Sequence, residues 1–477
     1  MSEMPSRRLF LHQALVASGV VMLPAATPLA ARTHDPLLID NVTQLYSIRV
    51  ARVIQPVSLD EVIGALKGWP GQVSVGGGRY SMGGQVALPS SLHLDLRELK
   101  RLVWLRVPEQ QVRVQAGMRW RDLQDLIDPQ DLAVKTMQSY ANFTVGGAVS
   151  VNAHGRYVGN GPVAHSVRAL QLVLADGQVV ETSRKQNSEL FKAAIGGYGA
   201  VGVITEVELD LVPNTRIERQ VEAVPLADYP RWFRQQVQAD PQAVLHNADL
   251  IPPRFDEPVA VIWRRTDKAL TVTDRLTARD QLYGLEKNMI FAMTELPGGT
   301  ALRKGVVQPL RMRSGEVVWR NHEASLDVAE LAPRTRAMST YVLQEYFIPA
   351  TQMVPFAKAM AALLIEHEVN ALNVSIRHSP ADEVSLLPWA KGEVFSFVLF
   401  YKQRVHERAQ KAVGPWTRAL IDLALQHGGR YYLPYQLHAT QAQFDKAYPE
   451  AQALKALKRK VDPQGRLSNA LWAKYLA

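Results

Sequence analysis

The chain has no cysteine among its 477 residues. That excludes disulfides, cysteine-ligated zinc, iron–sulfur clusters, c-type haem attachment and a thiol nucleophile, and leaves the compartment open. It has no low-complexity linker, internal repeat or heptad array, and its N-terminal apolar run, residues 14–26, falls short of the ~20 residues that cross a bilayer. Acidic residues are in deficit, 45 against 54 Lys and Arg for a net charge of +9. The basic residues are scattered and form no tract, so no nucleic-acid partner is expected, and no metal site either. What is present is globular: 47% hydrophobic and 21% charged residues rule out the disordered, collagen-like and multi-span membrane classes. At ~150 residues per domain, the length allows about three units or two large ones.

Ser6-Arg7-Arg8-Leu9-Phe10-Leu11 precedes the apolar run, an order that resembles the twin-arginine export signal with His12 where lysine is usual. Residues 1–31 are therefore expected to be a signal peptide, with Ala30 and Ala31 near the cleavage point, and the mature protein to be periplasmic or otherwise exported.

From Ile48 the pattern becomes regular. The extended IRVARVIQP leads to Ser58, an N-cap by type, and to helical spacing over 59–66. Runs at 73–75, 92–94, 102–105 and 112–115 predict short strands, followed by a helix at 120–127. A second cycle from Thr144 predicts strands at 166–174, 178–181 and 201–211, with a short helix at 188–194 after the hairpin-like Ala175-Asp176-Gly177. Beyond Val212-Pro213-Asn214 the pattern loosens, with strands at 339–347 and 393–400, helices at 354–364 and 412–425, and a helical tail.

Three glycine-rich segments carry the chemistry. In VGGGRYSMGGQ, residues 75–85, missing side chains let backbone N–H groups approach an anion, and phosphate or pyrophosphate is the natural guest. The familiar nucleotide signatures do not fit: the third position of G-x-G-x-x-G is Ser81, and no Gly-Lys-Ser/Thr is present. A hydrolase elbow fails too, because Arg79 stands where G-x-S-x-G needs glycine. In NFTVGGAVSVNAHGRYVGNGP, residues 142–162, Thr144 is a helix cap by type, and Gly146 and Gly147 behind it would offer a second anion site at a helix N-terminus. His154 reads either as a catalytic residue or, by preference, as a structural hydrogen-bonding one. The third segment, IGGYGAVGVITEVEL at 195–209, joins a helix to a long strand.

In order, the first loop, V-Q-A-G with a W-x-x-L helix, TVGGAVSVNAHG, LVLADGQ and ELFKAAIGGYGAVGVIT resemble the FAD-binding domain of the vanillyl-alcohol oxidase and p-cresol methylhydroxylase superfamily over residues 48–214. The resemblance implies an α+β fold. A two-subdomain FAD-binding domain of the p-cresol methylhydroxylase type would occupy 40–214, an α+β substrate (cap) domain with an antiparallel sheet 215–425, and a C-terminal segment returning to the FAD domain 426–477. It also implies FAD, with contacts on Gly76, Gly77, Gly78, Arg79, Tyr80, Ser81, Gln85, Thr144, Gly146, Gly147, Ser150, His154, Gly155, Gly199, Gly202 and Ile204. Many relatives tether the flavin to a histidine directly after the first glycine run. Here Arg79-Tyr80 stands in that place and no histidine occurs between His34 and His93, so non-covalent FAD is expected.

The C-terminal half is similar, more loosely, to the aldonolactone oxidases, the alditol oxidases and the flavoprotein half of the decaprenylphosphoryl-ribose epimerase. The likeness runs through QEYFIP at 344–349, NVSIRHSPADEVSLLP at 373–388, and GGRYYLPYQLHATQAQF through VDPQGRLSNALW. Arg377 matches the arginine these oxidases place near the flavin. The acidic partner usual two residues earlier is Ser375, and Tyr435 stands where the epimerase-type enzyme has lysine; Glu345 is expected on a substrate-facing strand instead. The reaction implied is removal of a hydride from a carbon bearing a hydroxyl while a base takes the hydroxyl proton. Arg377 suits charge stabilisation; Glu345, Tyr435, His378 and His438 are candidate bases or hydroxyl orienters. Ser375 and Arg377 share a strand face, beside which the strand of Glu345 is expected to run. The expected substrate is a small sugar, polyol or aldonolactone, and the acceptor oxygen or a quinone or haem partner, with peripheral membrane association also in view. The alternatives are an epimerase-type oxidase of a lipid-linked sugar and a non-enzymatic exported carbohydrate-binding protein on a flavin fold.

Overall fold

Short β-rich runs separated by polar turns build small sheets, and the first half of the chain is made of them. In this computed structural model residues 35–45, 47–279, 281, 283–295, 312–333 and 335–477 are described; the expected signal peptide at 1–31 lies outside them. Strands β1 (Leu38–Asp40) and β2 (Ser47–Arg49) form a hairpin. Strands β3 (Arg52–Ile54), β4 (Val73–Gly76) and β5 (Leu92–Asp95) form a parallel sheet in the order β3-β5-β4. The helix Leu59–Gly68 makes the β3-to-β4 crossover: Ser58 Oγ accepts from Glu61 N at 3.3 Å, and Val62 and Leu66 pack into the sheet's core.

The second sheet is antiparallel, from β6 (Leu102–Arg106), β7 (Gln111–Gln115), β8 (Leu132–Val134), β9 (Val167–Val173), β10 (Val179–Ser183) and β11 (Val203–Pro213), in the order β10-β9-β11-β7-β6 with β8 also on β11. Helices Trp120–Ile127, Val145–Ser150 and Ser188–Ala194 connect these strands. The third sheet is antiparallel and eight-stranded: β12 (Arg216–Ala223), β13 (Ala243–Leu250), β14 (Val259–Arg265), β15 (Val317–Trp319), β16 (Ser339–Pro349), β17 (Ala371–Ser379), β18 (Val394–Arg404) and β19 (Arg430–Tyr431), in the order β15-β12-β14-β13-β17-β18-β16-β19. Helices Met353–Glu366 and Glu407–Gln426 pack on one face of its β16–β18 region, and the glycine-rich half lies against the other, so β16 and β18 are buried along most of their length. The helix expected at 412–425 starts earlier, at Glu407, and carries Pro415 inside it. Burial of Val413, Trp416 and Leu420 outweighs the hydrogen bond that the proline removes.

The C-terminal segment crosses from one half to the other. After β19 pairs with β16, Pro434 O accepts from Met82 N at 2.7 Å, and Leu467 bridges Val73 in parallel. Lys458 Nζ donates to Ala200 O at 2.8 Å and to Leu467 O at 2.7 Å, and Asn469 Nδ2 donates to Tyr198 O at 2.7 Å. The tail thus clamps the third glycine segment.

Candidate active site

The site is built where β4 runs out into glycine. At Gly77 a Cβ would lie 2.3 Å from Thr144 Oγ1, and at Gly83 one would lie 1.8 Å from Tyr435 O, so neither position has room for a side chain. Thr144 is the N-cap residue of the helix Val145–Ser150 by position, but its hydroxyl does not cap: it accepts from Gly78 N at 3.3 Å and ties the two glycine segments together. The expected open N–H groups of that helix are in part already used, Val145 N by Met118 O and Gly146 N by Ala116 O, both at 2.8 Å. Arg79 stands at φ +61° with its guanidinium 3.0 Å from buried Asp95. Gln85 Nε2 binds Leu433 O and reaches Tyr435 O at 3.4 Å, fastening the C-terminal segment to the loop.

These segments wall a cavity of about 230 Å³. Of the cofactor contacts expected from sequence, Gly76, Gly77, Gly78, Arg79, Tyr80, Ser81, Gln85, Thr144, Gly147, Ser150 and His154 line it. Gly146, Gly155, Gly199, Gly202 and Ile204 do not. Gly146 and Gly155 are instead needed for close packing, since a Cβ there would meet Ala116 at 2.5 Å and Met137 O at 2.1 Å. Gly199 is in a positive-φ turn at +73°, and Gly202 and Ile204 sit at the buried start of β11.

A second chamber, about 300 Å³, adjoins the first; Ser139, Tyr140, Leu331, Leu343, Arg377 and Val398 line both. Its polar lining includes Asn247, Asp249, Asn373 and Ser375, and the ion pair Arg156–Glu323 at 2.8 Å. Two buried atoms at the junction have no hydrogen-bond partner, Ser139 Oγ and Arg377 Nε. Amide-rich glycine walls, a fixed cation at Arg79, an apolar wall including Val75, Phe143 and Val151, and these unpaired atoms fit a long group with an anionic end and a polar redox end, as FAD is.

Strand register places the charged groups. Ser375 and Arg377 share a face of β17, as expected, but β16 does not run beside it: β18 lies between, and Val398 pairs with Ser375 on one side and Glu345 on the other. Glu345 and Arg377 therefore flank β18 without forming an ion pair. Glu345 is buried, with His154 Nε2–H donating to Oε1 at 2.6 Å and Tyr435 O–H to Oε2 at 3.3 Å. Burial pushes its carboxyl up, but His154 and Arg377 outweigh burial and hold it below the ordinary glutamate value. Burial, then Glu345, pushes the Tyr435 phenol well up, so it stays a donor.

Two candidates leave the site. His378 is next to Arg377 in sequence, so strand alternation turns it to the opposite face, where it lies against Phe233 and donates to Glu393 at 2.7 Å. His438 binds Gln436 at 3.1 Å and lines neither chamber. Ser139, Tyr140 and Arg156 were missed. Ser139 and Tyr140 precede the second glycine segment and Arg156 lies within it, none with a motif of its own, and only that nearness could have drawn notice.

A family model described as FAD binding domain matches residues 50–183, and one described as D-arabinono-1,4-lactone oxidase matches residues 317–476. L-gulonolactone oxidase of Bos taurus is 22% identical over 448 residues, 90% of this chain and 96% of its own. Alditol oxidase of Streptomyces sp. is 38% identical over 102 residues, 21% of this chain and 24% of its own. Cytokinin dehydrogenase 1 of Arabidopsis thaliana is 31% identical over 126 residues, 26% and 22% of the two chains. One family model covers the glycine walls and the other β15 to β19 of the sheet that closes them: the chain is an FAD-linked oxidoreductase, similar to relatives that include aldonolactone and alditol oxidases.

Proposed function

We propose that the chain oxidises a carbon bearing a hydroxyl in a small sugar, polyol or aldonolactone. The observation that carries this reading is the junction of the two chambers, where Arg377 faces both the glycine-walled cavity and the polar chamber, with Glu345 close enough for each to shift the other's ionisation. FAD, when bound, supplies the hydride acceptor. Gly76 to Ser81, Thr144 and Gly147 would hold it, with the C-terminal segment 426–477 closing the site over residues 40–214. Asn373, Asn247 and Asp249 offer hydroxyl-binding groups in the second chamber. Arg377, a permanent cation, stabilises the negative charge that develops as the C–H bond breaks. Glu345, an acceptor in its ionised form, takes the hydroxyl proton, and Tyr435 orients that carboxylate from its free side.

Mixing the yellow protein anaerobically with aldonolactones, alditols and aldoses tests this. Bleaching by at least one of them is expected, and no bleaching by any contradicts it. The rate at which air restores the colour then separates oxygen from a quinone or haem acceptor. Retention of FAD is proposed to be non-covalent, since Arg79-Tyr80 follows the glycines; acid precipitation should leave the flavin in the supernatant, and flavin in the pellet would sink that claim. Export through Arg7-Arg8 is proposed on the leader pattern alone. Changing both to lysine should trap FAD-loaded protein inside the cell, and unchanged export refutes it.

A further inference from the structure

Resting on the reading that Glu345 accepts the hydroxyl proton, we infer that His154 is the positioning residue of that carboxylate, fixing one oxygen and keeping the group ionised in a site that would otherwise neutralise it. Sequence resemblance makes His154 a cofactor contact, yet its strongest contact lies across 191 residues, Nε2 to Glu345 Oε1 at 2.6 Å. Both side chains are nearly inaccessible, at 6% and 2%. A buried carboxylate is tolerated only when paired and hydrogen-bonded, and the cost of an unpaired one is met by taking up a proton.

The imidazole has little freedom to be anywhere else. Its ring lies 4.9 Å from Trp389, 5.6 Å from Phe347 and 6.0 Å from Tyr432. The backbone leading to it is pinned by the same residues, Tyr432 O–H to Val151 O at 2.8 Å and Trp389 Nε1–H to Asn152 O at 2.8 Å. The titratable groups that face Glu345 come from four directions: His154 after the helix Val145–Ser150, Arg377 on β17, Tyr198 in the third glycine segment, and Tyr432, Tyr435 and Tyr448 in the C-terminal part. His154 and Arg377 pull the carboxyl down, and of these two only His154 is also hydrogen-bonded to it. During turnover the substrate O–H bond breaks with its proton passing to Glu345, and FAD, when bound, would be the acceptor of the hydride that leaves the carbon. His154 undergoes no net change; it sets the pH range in which Glu345 can accept.

The test is the pH profile of anaerobic flavin reduction in the FAD-loaded wild type, His154→Asn and Glu345→Gln. His154→Asn should move the acid limb upward by about one unit or more, a loss of about tenfold near the old limb that alkaline pH restores. His154→Gln, whose amide donor reaches as far as the ring Nε2 where that of asparagine falls short, should move it less, and it replaces His154→Asn if that variant holds no FAD. A lowered melting temperature with the limb unmoved in the histidine variants, while Glu345→Gln abolishes it, overturns the inference and leaves the role of Glu345 standing. A wild-type rate and limb in Glu345→Gln overturns the reading of Glu345 itself.

Discussion

The two walls of the junction are made differently. The glycine wall is backbone: its capacity for an anion comes from what residues 76–78 lack, and a few contiguous positions determine it. The sheet wall is side chain. Glu345, Arg377 and Tyr435 come from β16, β17 and the segment beyond β19, and strand order and register bring them together. A backbone wall should therefore fail in binding when it is altered, whereas a side-chain wall should fail in rate. The substitutions below break or sharpen that contrast.

The largest effect is expected at Gly77. Valine there would push a Cβ into Thr144 Oγ1, which lies 2.3 Å away, and FAD affinity should fall by about a hundredfold or more, ~2.7 kcal/mol. Gly64, where a Cβ meets nothing within 4 Å, is the control: Gly64→Ala should stay fully loaded. An equilibrium titration with FAD checks both, and equal loading of Gly77→Val and wild type would erase the contrast. On the sheet wall, Glu345→Gln should hold FAD normally and slow anaerobic reduction by about a hundredfold, the loss of a positioned base. A smaller loss, about tenfold, is expected for Tyr435→Phe, which removes one 3.3 Å hydrogen bond to Glu345 and leaves its charge partners in place. If Tyr435→Phe is the more damaging of the two, the roles are reversed.

The smallest effect concerns pH. Glu345 acts as the carboxylate, so protonation on acidification stops it, and because His154 and Arg377 hold its pKa below the ordinary value, the wild-type acid limb should lie below the normal glutamate range. The limiting reduction rate should thus be flat from about pH 8 to about pH 5.5. An acid limb inside that window would mean that burial prevails over His154 and Arg377.

The same contrast explains what could be read from the sequence. Leu59–Gly68, Trp120–Ile127 and Ser188–Ala194 were legible from helical spacing, and the glycine segments from their run of contiguous residues. Between Asn214 and Ser339, strands β12 to β15 were not. There β12 (Arg216–Ala223) carries Glu218, Arg219 and Glu222, which break the apolar alternation of a strand, and β15 (Val317–Trp319) is only three residues long. Arg377 and Glu345 were each named from their local motifs, but their geometry was not accessible, because whether β16 lies next to β17 or one strand beyond is decided by the insertion of β18 from later in the chain. His378 was misassigned for want of strand alternation applied one residue further than Arg377. The His154–Glu345 contact was invisible, since nothing local to either residue points across 191 positions.

The central claim is that Arg377 serves the reaction at the junction and not the sheet's stability. Arg377→Met, with its melting temperature and its anaerobic rate of flavin reduction measured on the same FAD-loaded sample, tests it most directly. With Arg377 Nε unpaired and no ion pair to Glu345 to lose, the melting temperature should stay close to that of the wild type, while reduction slows by about a hundredfold, the effect of removing one electrostatic stabiliser. Near-normal reduction in a protein that melts well below the wild type would contradict the claim.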